Sequence, residues 1–378
     1  MRDGGTARPG KRSKKAGSKS RPERARKPEA PAGAASPASS PRRDAEAPPR
    51  RRAAEPEGPR ARLITIGGGK GGVGKSFFAA NLAASLAAAG HRVVVVDGDL
   101  EGANLHTCLG VPAPPSSLAD FAAGREQDLA KLAFDTPVRN LRLVAGTHAN
   151  LATPQPSHAQ RVQLVVQLRQ LDCDIVVFDL GAGTASAVID YFSEGDDEVL
   201  VIQPEPTSVE NAYSFLRAAF YRRMRLAMQG SKVRQLVSQA MDQKNDRGIR
   251  TPLDLLREVQ ELDDRDGARF VASMKAFRPR IVMNGVRSAE DIRVGFAVRS
   301  VCRKYFGIDA EYLGYVNHDE AVHRSVLARR PLVLDAPRCD AAIYLKRIAG
   351  KISEEQGEAA RPGARPSGPP PPGAGARP

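Results

Sequence analysis

Gly67-Gly68-Gly69-Lys70-Gly71-Gly72-Val73-Gly74-Lys75-Ser76 is the stretch whose reading decides the fold. It follows the apolar run Leu63-Ile64-Thr65-Ile66 and precedes an Ala-rich segment from Phe77 to Ala89. Strand, glycine loop and helix in that order make a phosphate cradle. Gly69, Gly74, Lys75 and Ser76 stand at P-loop spacing, in which successive backbone N–H groups and a helix N-terminus face the phosphates. Glycine is needed there because side chains would block the approach of an anion to the backbone. At this spacing Gly69, Lys70, Gly71, Gly72, Val73, Gly74, Lys75 and Ser76 form the expected nucleotide-binding loop. Lys75 is expected to reach the β and γ phosphates, and the Ser76 hydroxyl to take one corner of a Mg²⁺ octahedron.

Working outward, apolar runs that end in acids recur. His91-Arg92-Val93-Val94-Val95-Val96-Asp97 reads as a buried parallel strand with Asp97-Gly98-Asp99 at its carboxyl end. Asp174-Ile175-Val176-Val177-Phe178-Asp179 repeats that pattern and leads into Leu180-Gly181-Ala182-Gly183. In an open parallel sheet this edge faces the ligand crevice, which sets Asp97, Asp99 and Asp179 near the phosphates. The alternative for Asp99 is a cap for the turn that follows it. Further strands are expected at Leu141 to Gly146, Val199 to Ile202, Arg280 to Asn284 and Glu311 to Val316. Helices are expected at Ser117 to Gly124, around Val162, Leu164, Val165, Val166 and Leu168, at Asp319 to Arg329, and at Cys339 to Ile352. Ala341, Leu345, Ile348 and Ile352 share one face of the last, which suits core packing. Thr207 or Ser208 is well placed to cap a helix after Pro204-Glu205-Pro206. Strands alternating with helices predict an α/β fold: a doubly wound, mainly parallel sheet of about seven or eight strands with helices on both faces.

The formal charge of +14 is unevenly distributed, since residues 1–62 hold 18 Lys/Arg against 7 Asp/Glu and so carry +11 of it. Residues 1–60 have almost no large apolar side chain, and the expectation is a disordered basic Pro/Ala-rich arm. Such an arm suits DNA or an anionic membrane surface through counterion release, and equally a solvated linker. Residues 61–354 are expected to form the P-loop domain, with a helical insertion over 230–277 whose apolar positions are Leu236, Leu253, Leu255, Leu256, Val259 and Leu262. Residues 355–378 read as a disordered Pro/Gly-rich tail. Cys108, Cys173, Cys302 and Cys339 stand far apart without a CxxC, so neither a disulfide framework nor a metal cluster is expected. No run approaches the length of a membrane span, and a cytoplasmic protein, peripheral to membrane or nucleoid at most, is the expectation.

The heptapeptide Lys70-Gly71-Gly72-Val73-Gly74-Lys75-Ser76 resembles the deviant Walker A motif of the MinD/ParA family of ATPases. In that family the first lysine crosses a dimer interface to the nucleotide of the other subunit, whereas an ordinary P-loop lysine at that place would be a solvated side chain. By analogy with arginine fingers, a cation supplied in trans is worth about 10³ in rate. The resemblance continues in Asp97 to Leu105, similar to switch I, and in Asp174 to Gly183, similar to Walker B with switch II. It implies that Asp99 positions the attacking water, that Asp97 lies near the magnesium shell, that Asp179 holds the metal, and that the Gly181 and Gly183 backbone approaches the γ-phosphate. Gly181 stands where many members have a proline. Asn284 matches an asparagine that contacts the purine, its alternative being a turn former. Gln243-Lys244-Asn245-Asp246 lacks the leading asparagine of a guanine signature, which points to adenine.

The resemblance covers about residues 62–352 and is nearest to FlhG/MinD-type members. It implies an ATPase with Mg²⁺ as cofactor, a homodimer when ATP is bound, a stimulating protein partner, and an output in the placement or number of flagella, chromosomes or polar assemblies. The alternative from another class is a nucleotide-controlled DNA-binding protein acting through its basic arm. Mrp-type iron–sulfur carriers need paired cysteines, and tyrosine kinases of this fold need a C-terminal tyrosine cluster; the chain has neither.

Overall fold

The computed structural model describes residues 60–147, 155–228, 233–240, 249, 251–262 and 264–359. The basic arm, most of the Pro/Gly-rich tail, and Gln243-Lys244-Asn245-Asp246 lie outside these residues. The chain opens with β1 (Arg62–Gly67), α1 (Lys75–Ala88), β2 (Val93–Gly98) and two short helices, α2 (Leu105–Cys108) and α3 (Leu118–Ala122). Next come β3 (Phe134–Asp135), β4 (Leu141–Val144), α4 (His158–Gln170), β5 (Ile175–Leu180), α5 (Ser186–Phe192), β6 (Asp197–Ile202) and the long α6 (Pro206–Ala227). Three helices follow, α7 (Val233–Ala240), α8 (Pro252–Leu262) and α9 (Asp264–Ala276), and then β7 (Arg280–Val286), α10 (Ala289–Val301) and β8 (Glu311–Asn317). The described chain closes with α11 (Glu320–Leu327), α12 (Leu332–Asp335) and α13 (Asp340–Ala359).

The strands form one eight-stranded sheet in the order β3-β4-β2-β5-β1-β6-β7-β8. All pairs are parallel except β3 with β4. The chain winds one way from β1 toward β4 and the other way from β1 toward β8, so the crevice at the carboxyl ends beside β1 is where a ligand is expected to enter. The unbroken Val, Ile and Phe runs of β2 and β5 are explained by burial on both faces: every residue of β5 is buried. One core lies under α3 to α10, with Phe192, Phe215, Phe220 and Phe270 at its centre. The other lies under α1, α2 and α11 to α13. Helix α1 is buried on nearly every side because α12 and α13 cover the face it turns away from the sheet.

Several sequence expectations change in detail. Val162 and Val166 on α4 face solvent, and it is Leu164 and Leu168, one turn apart, that enter the core. In the insertion, Leu236, Leu255 and Val259 are buried, and Leu253 and Leu256 partly so; the side chain of Leu262 lies outside the described set. The predicted face Ala341, Leu345, Ile348 and Ile352 is buried as core. Helix α13 runs past Glu354 to Ala359, because Glu355, Gln356 and Glu358 are good helix formers. The antiparallel β3, two residues long, is too short to leave a periodic signal. All four cysteines are unbridged. Among the described residues no helix is long and apolar enough to cross a membrane.

The amino ends of the strands, opposite the crevice, hold a buried ionic cluster. Asp197 accepts hydrogen bonds from Arg62 Nε at 2.6 Å and Arg280 Nη1 at 2.7 Å. Next to it, buried Glu198 accepts one from Arg223 Nη1 at 2.7 Å. Burial outweighs that cation and raises the Glu198 carboxyl from 4.5 to about 7. The folded protein therefore binds this proton more tightly than the unfolded chain, so the stability it contributes is full below pH 4.5 and is lost as pH rises through 7. Glu198→Gln is expected to gain stability relative to the parent between about pH 5 and about pH 8. Urea unfolding at both pH values measures this, and a constant difference would show that Glu198 ionises without cost.

Candidate functional site

The glycine loop leaves β1 at Gly67 and ends where Gly74, at φ 91°, caps α1. That conformation favours glycine, and a Cβ at Gly74 would also collide with the side-chain amide of Asn284. Asn284, at the carboxyl end of β7, donates from Nδ2 to the Val73 carbonyl at 2.9 Å. Val73 itself is buried and anchors the middle of the loop. On the other side, a Cβ at Gly69 would strike the backbone of Asn211 on α6. The Gly183 N–H donates to the Gly68 carbonyl at 3.1 Å, tying the loop after β5 to the glycine loop. Glycines that were expected to admit a ligand are also where neighbouring elements pack against the loop.

Parallel register sets Asp97 of β2 directly beside Asp179 of β5, and both are buried. Asp97 spends both oxygens on its own loop: Oδ1 accepts from Asp99 N and Oδ2 from Leu105 N, each at 3.1 Å. Asp99 Oδ1 in turn accepts from Gly102 N at 2.8 Å and Glu101 N at 3.2 Å, so the capping alternative for Asp99 is realised. The site of a Cβ on Gly181 lies 3.8 Å from the Asp99 carboxylate, which brings the loops after β2 and β5 together. Asp179 differs from both, because its two oxygens are buried with no hydrogen-bond partner. Burial raises the Asp179 carboxyl, with the nearby Ser76 hydroxyl and Lys75 ammonium pulling it down and Asp99 pushing it up. Burial also raises Asp97, reinforced by Asp179. A pair of desolvated carboxylates beside one buried lysine lacks positive charge. Oxygen-only donors on Asp179 and Ser76 at the mouth of the glycine loop fit a hard cation such as Mg²⁺, which takes one or two protein oxygens and retains water.

Lys70 stands at the surface, its side chain 31% exposed. Its Nζ donates to Glu205 Oε2 at 3.1 Å and to Thr207 Oγ1 at 3.2 Å. This corrects the expected cap: α6 starts at Pro206 with Glu205 before it, and no side chain caps it. Proline at the first position fits a helix start, since its missing N–H has no partner there in any case. Thr207 is thereby free to hold Lys70, while Ser208 Oγ accepts from Gln203 N at 3.0 Å. Glu205 and Asn211 are the two residues at the site that sequence reasoning did not assign. Glu205 stands two residues beyond the strand Val199 to Ile202 and its following Gln203, at the edge that the strand pattern had already marked. Asn211 enters through its backbone, which leaves no residue-type signal.

The family model for the CobQ/CobB/MinD/ParA nucleotide binding domain matches residues 64–332. Antiactivator FleN of Pseudomonas aeruginosa is 26% identical over 292 residues, 77% of this chain and 85% of that protein. Flagellum site-determining protein YlxH of Helicobacter pylori is 31% identical over 158 residues, 41% of this chain and 53% of its own length. The septum site-determining protein MinD complexed with Mg-ADP from Pyrococcus horikoshii superposes with a TM-score of 0.51 at 21% identity, covering 80% of this chain and 99% of that one. That likeness shows a common fold.

Replacing the unpartnered carboxylate should relieve the uncompensated charge. Asp179→Asn is expected to raise the stability of the nucleotide-free protein by roughly 1–3 kcal/mol at neutral pH. Thermal and urea unfolding measure it, and a loss of stability would mean that Asp179 is compensated in the free protein.

Proposed function

The chain belongs to the CobQ/CobB/MinD/ParA nucleotide-binding domain family, and on that premise we propose that it is an ATP-dependent dimerising switch that hydrolyses ATP. In this reading residues Gly69 to Ser76 bind the triphosphate, and Lys75 neutralises its β and γ phosphates. Ser76 and Asp179 hold Mg²⁺, with Asp97 behind them shaping the loop. When bound, the metal offsets charge that develops on the phosphoryl oxygens. Asp99 orients the attacking water, the Gly181 backbone faces the γ-phosphate, and Asn284 meets the adenine from the amide face not used by Val73. Lys70 leaves its own subunit and stabilises the phosphoryl group held by its partner.

The observation that carries this reading is the setting of Lys70. Its side chain, 31% exposed, is held by an ion pair with Glu205, itself 56% exposed, and by a hydrogen bond to Thr207. Exposed pairs of this kind are worth about 0–1 kcal/mol, so a triphosphate on a second copy can outcompete the home contact. ATP drives the switch to the extent that it binds the dimer more tightly than the monomer. The output proposed is regulation of the placement or number of a cellular structure, in keeping with the name of YlxH, a flagellum site-determining protein.

Lys70→Ala is expected to leave nucleotide binding nearly intact and to abolish dimerisation with a non-hydrolysable ATP analogue in sedimentation velocity. A parent chain that stays monomeric with the analogue would refute the switch. Glu205→Gln, which frees Lys70, is expected to strengthen analogue-dependent dimerisation by up to about fivefold. Weakened dimerisation would instead assign Glu205 to the interface itself.

A further inference from the structure

The ionic cluster at the amino ends of the strands opens into a surface pocket of about 440 Å³. Its walls come from the residues that start β6, β7 and β8 and from Arg299 in the last turn of α10. Every lining side chain but that of Ala310 is charged. An apolar occupant would strip water from these charges and give nothing in return, so the pocket suits a polar, ionised ligand.

The carboxylates on its inner wall are already engaged. Asp197 is held by Arg62 and Arg280, and Asp196 accepts from Arg169 Nη1 and from Leu63 N, both at 2.8 Å. Glu311 Oε2 meets Arg280 Nε at 3.0 Å. Arg278 and Arg299 are different, since among the described residues neither guanidinium donates a hydrogen bond. Their Nη2 atoms stand 4.0 Å and 3.8 Å from the two oxygens of one shared carboxylate, Asp309. Both distances exceed the roughly 2.7–3.2 Å of an N–H···O bond. With Arg62 and Arg169 behind the wall, five guanidiniums meet four carboxylates, and the unmatched positive charge lies at Arg278 and Arg299.

Two guanidinium forks on one pocket recognise an oxyanion, because their paired N–H groups match its oxygens. A carboxylate has two oxygens to offer, whereas a phosphoryl group has three and can serve both forks. Inorganic phosphate alone would leave most of the volume to water. A larger polar body fills it and can donate hydroxyl groups to Asp309 and Glu311, which are 59% and 43% exposed. We infer that this pocket binds a phosphorylated, hydroxyl-rich small molecule, with its phosphoryl oxygens on Arg278 and Arg299. Arg280 begins β7 at this end, and Asn284 stands toward the end that meets the glycine loop. The occupant and a nucleotide therefore do not compete for space.

The test is titration calorimetry of the full chain with ribose 5-phosphate, ribose and inorganic phosphate, each with and without saturating Mg-ADP. Ribose 5-phosphate is expected to bind at least about tenfold more tightly than either of the others, in both conditions. Arg278→Ala and Arg299→Ala, at side chains 70% and 48% exposed, are each expected to weaken it about tenfold with an unchanged melting temperature. Asp309→Asn removes the carboxylate that competes for both guanidiniums and is expected to tighten binding by up to about fivefold. Failure of ribose 5-phosphate to bind at millimolar concentration overturns the assignment, as does equal binding of ribose. Binding that survives the double variant Arg278→Ala, Arg299→Ala overturns it too, and binding that Mg-ADP abolishes would place the phosphate in the glycine loop instead. Capture of the chain by phosphatidic acid vesicles, lost in the double variant and without ribose 5-phosphate binding, would make the oxyanion a lipid headgroup and overturn the small-molecule site.

Discussion

A carboxylate buried at the end of a central strand without a partner is expensive, and Asp179 is in that position. Register forces Asp97 alongside it, since β2 and β5 are parallel neighbours and each ends in an acid at the same level. The fold tolerates this because Lys75 is buried nearby at the start of α1 and because Asp97 is satisfied by two backbone N–H groups. The deficit of positive charge remains at the mouth of the glycine loop. The metal–phosphate ligand of the proposed function would match it in charge and donor demand.

The glycine loop is the joint at which separate parts of the fold meet. Asn284 from β7 reaches Val73, Gly183 from the loop after β5 reaches Gly68, and the backbone of α6 lies on Gly69. Each contact falls where a side chain would collide or where a backbone group is bonded. A change in the loop is therefore felt at once by the strand that carries Asn284, by the loop after β5, and by the helix that holds Lys70. This is the packing a two-state switch needs, because close-packed contacts shift between discrete arrangements and do not stretch.

Much of this was legible without coordinates. The strand-loop-helix order around Gly69 to Ser76, the acids ending β2 and β5, and Asn284 ending β7 are local patterns, and a parallel sheet brings all strand ends to one edge. Less legible were contacts made by backbone or by residues without a distinctive type. Asn211 acts through its peptide group, Glu205 sits between prolines in a segment that reads as a helix start, and β3 is too short for periodicity. Val162 and Val166 misled because an apolar residue on a helix need not face the core.

Local spacing and the burial of apolar runs were enough to read from the sequence the α/β class, the common edge at which the strands end, and the strand–glycine loop–helix unit. Tertiary structure alone decided that Asp97 is bonded while Asp179 is bare, that Lys70 rests against Glu205 and Thr207 at the surface, and that Arg278 and Arg299 line one pocket and share one distant carboxylate. Those outcomes depend on distances between residues far apart in the chain, and such distances are fixed only when all the layers pack at once.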